Sequence, residues 1–386
     1  AIGVVSYVIV PFLRDLAEAL QWQATADWLE HSLVRVSLSM ALLWTFVWIN
    51  IRGLKGYERT LIPLMILMFA LGFVVIIVGW THNHQDFTDA LQQRSGQAFS
   101  SNEDPVFSWP TLLSGAAVLF ASFIGFDSIA QAGGEAKKPE RNLPLAILLA
   151  IGTVGSFYFL FTGAVYHAVP WQYIAQEAAL RDVTAPGLFS ILLPAAGAAA
   201  ILGGAAVALI NDLPAMLLSV SRLLFAWADD GIFPKPVARI HTAYSTPHIA
   251  LTISGLMASI GILGSHFAGD FFLGIDIMVT AMLVNFWLMC GTVLTLPVRN
   301  PALASRMHLI RSRPLQWAVA LPGLLLLSLF LVIHIYKDLS QPAEAWYFHS
   351  TWVWLLVMAI ATLIYGFYWR QLKPAEKAIF KNLPAE

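Results

Sequence analysis

TLIPLMILMFALGFVVIIVGW, residues 60–80, carries no charged side chain from end to end. A helix rises about 1.5 Å per residue, so about 20 apolar residues cross a hydrocarbon layer of roughly 30 Å. The stretch is therefore long enough to span a bilayer. Working outward, similar runs lie near 32–50, 110–131, 145–166, 195–225, 247–264, 270–296, 315–335 and 350–369, which makes nine with the first. Between the loops, stretches of roughly 17 to 26 residues hold no Lys or Arg and at most one Asp. A membrane barrel needs alternating segments of about 10 residues, whereas these runs are uniformly apolar. Helices satisfy their backbone hydrogen bonds within one segment, so an all-α, polytopic membrane protein is expected.

Composition agrees. Of 386 residues, 58% are hydrophobic and 12% are charged, against about 25% charged in a soluble domain. The lone Cys290 sits in an apolar run, which excludes a disulfide framework or a cysteine metal cluster and suits a small packing residue. Basic residues are few and scattered over short loops, so no nucleic-acid surface is expected. The ten histidines lie mainly in loops or near span ends, where surface or packing roles suffice. No Walker motif, zinc spacing or Ser-His-Asp order stands out, and neither enzymatic chemistry nor a cofactor is expected. The opening apolar stretch, residues 1–13, meets Arg14 and Asp15 too early for a full span. It reads as the end of a span that begins before Ala1.

Charge placement sets a topology. With segment 14–31 outside, the inside segments 51–59, 132–144, 222–246, 297–314 and the tail from Arg370 hold 17 of the 22 Lys and Arg residues. The outside segments hold five, counting Arg35 at a span mouth. Acids divide the other way, seven inside and thirteen outside, with Asp127, Asp212 and Asp276 within spans. That is the positive-inside pattern, and it places the C-terminus in the cytoplasm. Segment 81–109, polar and acidic with a turn at Asp104-Pro105, is expected to be a simple exposed loop. Segment 171–183, bounded by Pro170 and Pro186, is expected to form a short helix along the outer surface or partly over an entrance.

The third complete span is irregular. In FASFIGFDSIAQAGGEAKKPERNLP, residues 120–144, the apolar run is interrupted by Gly125, Asp127 and Ser128 and closes on Gly133-Gly134. Glycine permits backbone excursions that other residues resist, and Ser and Asp compete for backbone hydrogen bonds. A helix broken within the membrane is predicted, against the alternative of an ordinary helix with a close-packed glycine. Broken helices occur where they line an enclosed cavity, and their amides and carbonyls can bind a polar solute. Asp127 admits two roles: a cap on the start of the second half-helix, or a proton carrier or ligand for a cation.

Asp212, beside Asn211 and just before Pro214, sits deep in the long 195–225 run. It reads either as part of a solute or ion site at a proline kink or as a structural contact to another helix. Asp276 lies near the outer boundary, where snorkelling or pairing accounts for it. The glycines of 195–208 fit close helix packing. Phe120, Phe123 and Phe126 suit core or lipid packing, with a cover over a bound solute as the alternative.

Three segments together resemble the amino acid–polyamine–organocation permeases. They are GFDSIAQAGGEAKKPERNLPLAI at 125–147, SRLLFAWADDGIFPKPVARIHTAYSTP at 221–247, and Asn50-Ile51-Arg52-Gly53-Leu54-Lys55. The resemblance covers essentially the whole chain. It implies two inverted five-helix repeats followed by two extra helices, with 110–131 as the broken sixth helix and 195–225 as the eighth. On that plan 1–386 is one transmembrane transport domain. It divides into a partial span (1–13), spans of the repeat core (14–269), the last core span (270–296), and two further spans with a cytoplasmic tail (297–386). The resemblance implies substrate contact by Ile124, Gly125, Phe126, Asp127, Ser128 and Ile129 through exposed backbone and the Ser128 hydroxyl, with Phe126 as an aromatic cover. Asp212 joins this set from its own span, Glu135 and Arg222 stand as a cytoplasmic gating pair, and Asn211 as a further gating or coupling residue.

This chain departs from the family pattern in three places. It has no glycine-rich broken first helix to face the sixth, and it has Gly134-Glu135 where paired acids are common. The 60–80 run lacks the basic residue that some proton-coupled relatives carry in the fifth span, which weakens a lysine-based proton mechanism. The function expected is secondary or exchange transport of an amino acid or related amine by alternating access in the cell membrane, with a proton or an exchanged solute as coupling partner. A polyamine or organic-cation exchanger, a non-transporting sensor and a truncated product are the alternatives.

Overall fold

The computed structural model describes residues 31–53, 55–96, 99, 107–131, 137–180, 183–268, 272–305, 310, 312–340 and 346–379, with a few single positions before residue 30. Among these residues the chain is all-α, and helices stand at each of the nine expected positions. They are α1 (Ser32–Arg52), α2 (Lys55–Thr81), α4 (Trp109–Leu119) continuing into α5 (Ser128–Gln131), α6 (Pro139–Ala168), α9 (Ala195–Asp229), α10 (His248–Ala268), α11 (Phe272–Arg299), α13 (Arg313–Ser340) and α14 (Ser350–Gln371). Shorter helices join them: α3 (His84–Ser95), α7 (Trp171–Leu180), α8 (Ala185–Leu192), α12 (Pro301–Ser305) and α15 (Pro374–Ile379). Seven helices are uninterrupted and apolar enough to cross a membrane by length and composition. The two further segments are the interrupted α4–α5 and α9. With 35 residues, α9 measures about 52 Å and so exceeds the hydrocarbon thickness.

Helix α9 is the hub, packing on α1, α2, α5, α8 and α10. Small residues let the spans approach closely. A Cβ built on Gly79 would lie 2.6 Å from the carbonyl oxygen of Ala164 and 2.7 Å from its Cβ, so α2 and α6 touch backbone to backbone there. Gly204 of α9 is buried against Leu71 of α2, as the glycine density of that run predicts. Polar side chains tie neighbouring spans together. Trp44 Nε1 of α1 donates to Ser259 Oγ of α10 at 3.2 Å, and Trp287 Nε1 of α11 donates to Ser328 Oγ of α13 at 2.9 Å. Asn50 Nδ2 donates to the Pro214 carbonyl at 3.4 Å, and α9 continues as helix through Pro214.

One expectation is overturned outside the spans. Segment 81–109 is not a simple exposed loop, because it contains α3. Asn83 Oδ1 accepts from the amides of Gln85 and Asp86, and Asp86 Oδ2 accepts in return from the Asn83 amide at 2.8 Å, a reciprocal cap that fixes the first turn. Phe87 then turns inward and is fully buried with its ring 5.0 Å from that of Tyr173 on α7, and Phe99 meets the same tyrosine at 5.5 Å. Arg94 closes the far end by donating to the carbonyls of Ser190 at 2.7 Å and Leu193 at 2.6 Å, where α8 finishes. The helix expected within 171–183 is present as α7 and is docked on α3 by these rings.

Candidate functional site

Helix α4 ends at Leu119, tightens into a 3-10 turn over Phe120–Phe123, and loses helical form over residues 124–127 before α5 begins at Ser128. The predicted break is thus present. Gly125 takes φ +121°, a value that residues with a Cβ rarely adopt, so glycine is required for the chain to turn here. Backbone bonds Ser128 N to Gly125 O (3.1 Å), Ile129 N to Phe126 O (3.3 Å) and Ala130 N to Asp127 O (3.0 Å) wind the chain back into helix.

Asp127 does cap backbone, but not at the expected place. Its Oδ1 accepts from the Gly125 amide at 3.2 Å, on the upstream side, rather than from the first amides of α5. With Gly125 left-handed, that amide points back toward the carboxylate.

The break hands the chain from one group of helices to another. Helix α4 packs on α11 and α13, the 3-10 turn on α11 and α6, and α5 on α6 and α9. Phe126 stacks on Phe286 of α11, with centroids 5.1 Å apart and planes 16° apart, and Phe120 meets the same ring edge-on at 5.8 Å. On the opposite side Tyr158 of α6 donates its phenol hydrogen to the Ser122 carbonyl at 2.8 Å, and Phe123 lies edge-on to its ring. This tyrosine satisfies a carbonyl released by the interrupted helix. Asp212 lies at the midpoint of α9, the helix on which α5 packs. Sequence reasoning missed Tyr158, whose only signal was a polar tip inside an apolar run.

The candidate residues therefore divide into groups. Ile124, Gly125, Phe126, Asp127, Ser128 and Ile129 form or directly follow the break, whereas Asp212 stands on a separate element, α9. Arg222 lies ten residues beyond Asp212 on α9, about 15 Å along the axis, and so belongs to a different level. Glu135 and the side chain of Asn211 lie outside the described residues. His334 of α13 is buried, within the surface or packing roles read for the histidines. Its Nε2 sits 3.2 Å from the Asp276 carbonyl and 3.1 Å from Thr280 Oγ1 on α11. Thr280 spends its own hydrogen on the Asp276 carbonyl, so Nε2 is the donor to both oxygens. Among the described residues no cluster of His, Cys, Asp or Glu is arranged to hold a metal ion.

A bundle of apolar helices, one of them opened at mid-run against a tyrosine, defines a polytopic membrane protein with a broken span. The chain belongs to the amino acid permease family, within the amino acid–polyamine–organocation permeases: the family model described as "Amino acid permease" matches residues 1–367. It is similar to cationic amino acid transporter 4 of Mus musculus, 30% identical over 159 residues, which cover 41% of this chain and 24% of that protein. It is also similar to the branched-chain amino acid permease BcaP of Bacillus subtilis, 28% identical over 158 residues, 40% of this chain and 32% of that protein. The aligned region thus spans a third or less of these relatives.

Proposed function

We propose that this protein carries an amino acid or a related amine across the cell membrane by alternating access, with the solute held at the break between α4 and α5. The observation that supports this reading is the break itself. A membrane span gives up helical hydrogen bonding only where something else uses the backbone groups, and here they lie at residues 124–127 between packed helices. In this reading Gly125, Asp127 and Ser128 shape the turn, Ile124, Phe126 and Ile129 supply apolar contact, and Asp212 contributes from α9. Glu135, Arg222 and Asn211 act in gating at the cytoplasmic side, and the C-terminus lies in the cytoplasm in accord with the excess of Lys and Arg there. The relatives named above are a cationic and a branched-chain amino acid carrier. Their shared feature is the amino acid rather than any one side chain, which supports a solute class defined by its amino and carboxylate groups. A proton or a counter-transported solute supplies the coupling.

Uptake by the complete natural protein in liposomes tests this. Saturable accumulation of at least one amino acid or amine, stimulated by a pH step or by preloading with unlabelled solute, is expected. Correctly folded protein that binds none of these solutes and moves none of them would sink the proposal.

A further inference from the structure

The last turn of α1 is held on one side and bare on the other. Asn50 Nδ2 donates to the Pro214 carbonyl of α9, and the buried Thr246 hydroxyl donates to the Ile51 carbonyl at 2.7 Å, which fixes that side against α9 and the loop before α10. Leu43, Val47 and Asn50 are buried, whereas Ala41, Thr45, Trp48 and Arg52 are exposed at helical spacing along the opposite face. Four residues apart, Trp48 and Arg52 meet there: the guanidinium carbon lies 3.7 Å from the centre of the indole ring, which is 53% exposed. Contact on the face of the guanidinium leaves its N–H edge for another acceptor, and among the described residues no carboxylate or carbonyl accepts from it. The Trp48 Nε1 hydrogen meets no acceptor among them either.

Such a corner suits an anion with an apolar body. A guanidinium without a protein counter-ion at the end of a span presents a planar fork that matches phosphate oxygens. Toward the membrane interior the same face continues as Ala41 and Thr45, uncharged, and the threonine hydroxyl is already spent on the Ala41 carbonyl at 2.7 Å. On the loop side Tyr244 passes its carbonyl over Gly53, and the side chains of Ile240 and Tyr244 are 54% and 42% exposed. Aromatic side chains collect at headgroup depth because one end is apolar and the other wet. We propose that Arg52 and Trp48 form a binding site for an anionic phospholipid. The phosphate sits on the guanidinium fork and the indole N–H, and an acyl chain runs along Ala41 and Thr45. The site stands apart from the break and does not depend on which solute the protein carries.

Dioleoylphosphatidylglycerol and dioleoylphosphatidylcholine share phosphate and acyl chains and differ in net charge, so native mass spectrometry of the complete natural protein titrated with each lipid reads the site. Phosphatidylglycerol should bind at least about five-fold more tightly, the worth of one basic residue near a membrane surface. Arg52→Gln should abolish that preference and leave phosphatidylcholine binding unchanged, and Trp48→Leu should reduce it. Arg299→Gln, which removes an exposed cation at the end of α11, should leave the preference in place. Equal binding of the two lipids by the natural protein, a preference that survives Arg52→Gln, or the same loss in Arg299→Gln would each overturn the proposal. Displacement of phosphatidylglycerol by an equal concentration of glycerol 3-phosphate would mark a site for free anions and overturn the lipid assignment. Should Arg52→Gln fail to fold, the natural protein and Trp48→Leu still decide it, since no preference in the first or its full retention in the second overturns the site.

Discussion

At the scale of single residues, Tyr158 carries the most consequence for the least sequence signal. It holds the Ser122 carbonyl at the start of the break and meets the Phe123 ring edge-on. Tyr158→Phe keeps the ring against Phe123 but leaves that carbonyl without its donor. A loss of about 1 kcal/mol in stability is expected, the ordinary net contribution of one such bond. Solute affinity should fall with it, because the released carbonyl changes the shape of residues 124–127. Thermal unfolding in detergent and binding titration on the same preparation would check both, and unchanged affinity would reduce Tyr158 to packing. Gly125 is the complementary case. No atom lies within 4 Å of a Cβ built there, so Gly125→Ala meets no clash and costs only the left-handed backbone, about 1–2 kcal/mol. Transport should fall more than stability, since the relaxed backbone no longer turns its amide toward Asp127.

At the scale of elements, apolar run length was sufficient to place the helices, because a span advertises itself over 20 residues without reference to its neighbours. The break was readable for a similar reason: Gly125, Asp127 and Ser128 all act on backbone within a few residues. Helix α3 was not readable. Only two of its apolar side chains, Phe87 and Leu91, face the protein, and its stability comes from the cap at Asn83 together with tertiary contact to α7 and α8. The partners of Phe126 and Tyr158 lie far along the chain, and nothing in the local pattern names them.

Two predictions belong to elements. Asp338, near the end of α13, accepts from the amides of Ser350 and Thr351 at 2.9 Å each and so caps α14 from outside it. Asp338→Ala should cost about 1–2 kcal/mol, seen as a lower unfolding temperature. Gly79→Ala forces a methyl group into the Ala164 backbone and should cost about 1–3 kcal/mol by overpacking, whereas Gly115→Ala, with open space at its Cβ, should cost far less.

At the scale of the whole molecule, the charge asymmetry makes a directional prediction. With 17 of 22 basic residues on one side, the loop 232–247 and the tail after Arg370 should both face the cytoplasm. Cys290 is the single cysteine, so a variant lacking it and bearing one new cysteine in each loop can be probed with an impermeant thiol reagent on intact cells. Protection at 232–247 and the tail, with labelling at 84–95, is expected; the reverse pattern would invert the topology and reassign the gating side.

The backbone contact at Gly79 also constrains how the molecule deforms. Two helices whose main chains touch have no lubricating layer of side chains between them, so α2 cannot slide along α6 without lifting away from it. At that level the pair resists sliding. The α4–α5 break passes from the α6–α9 side to the α11–α13 group, with its left-handed glycine between them. Should the two groups rotate against each other during transport, residues 124–127 are the bonds that would take up the torsion.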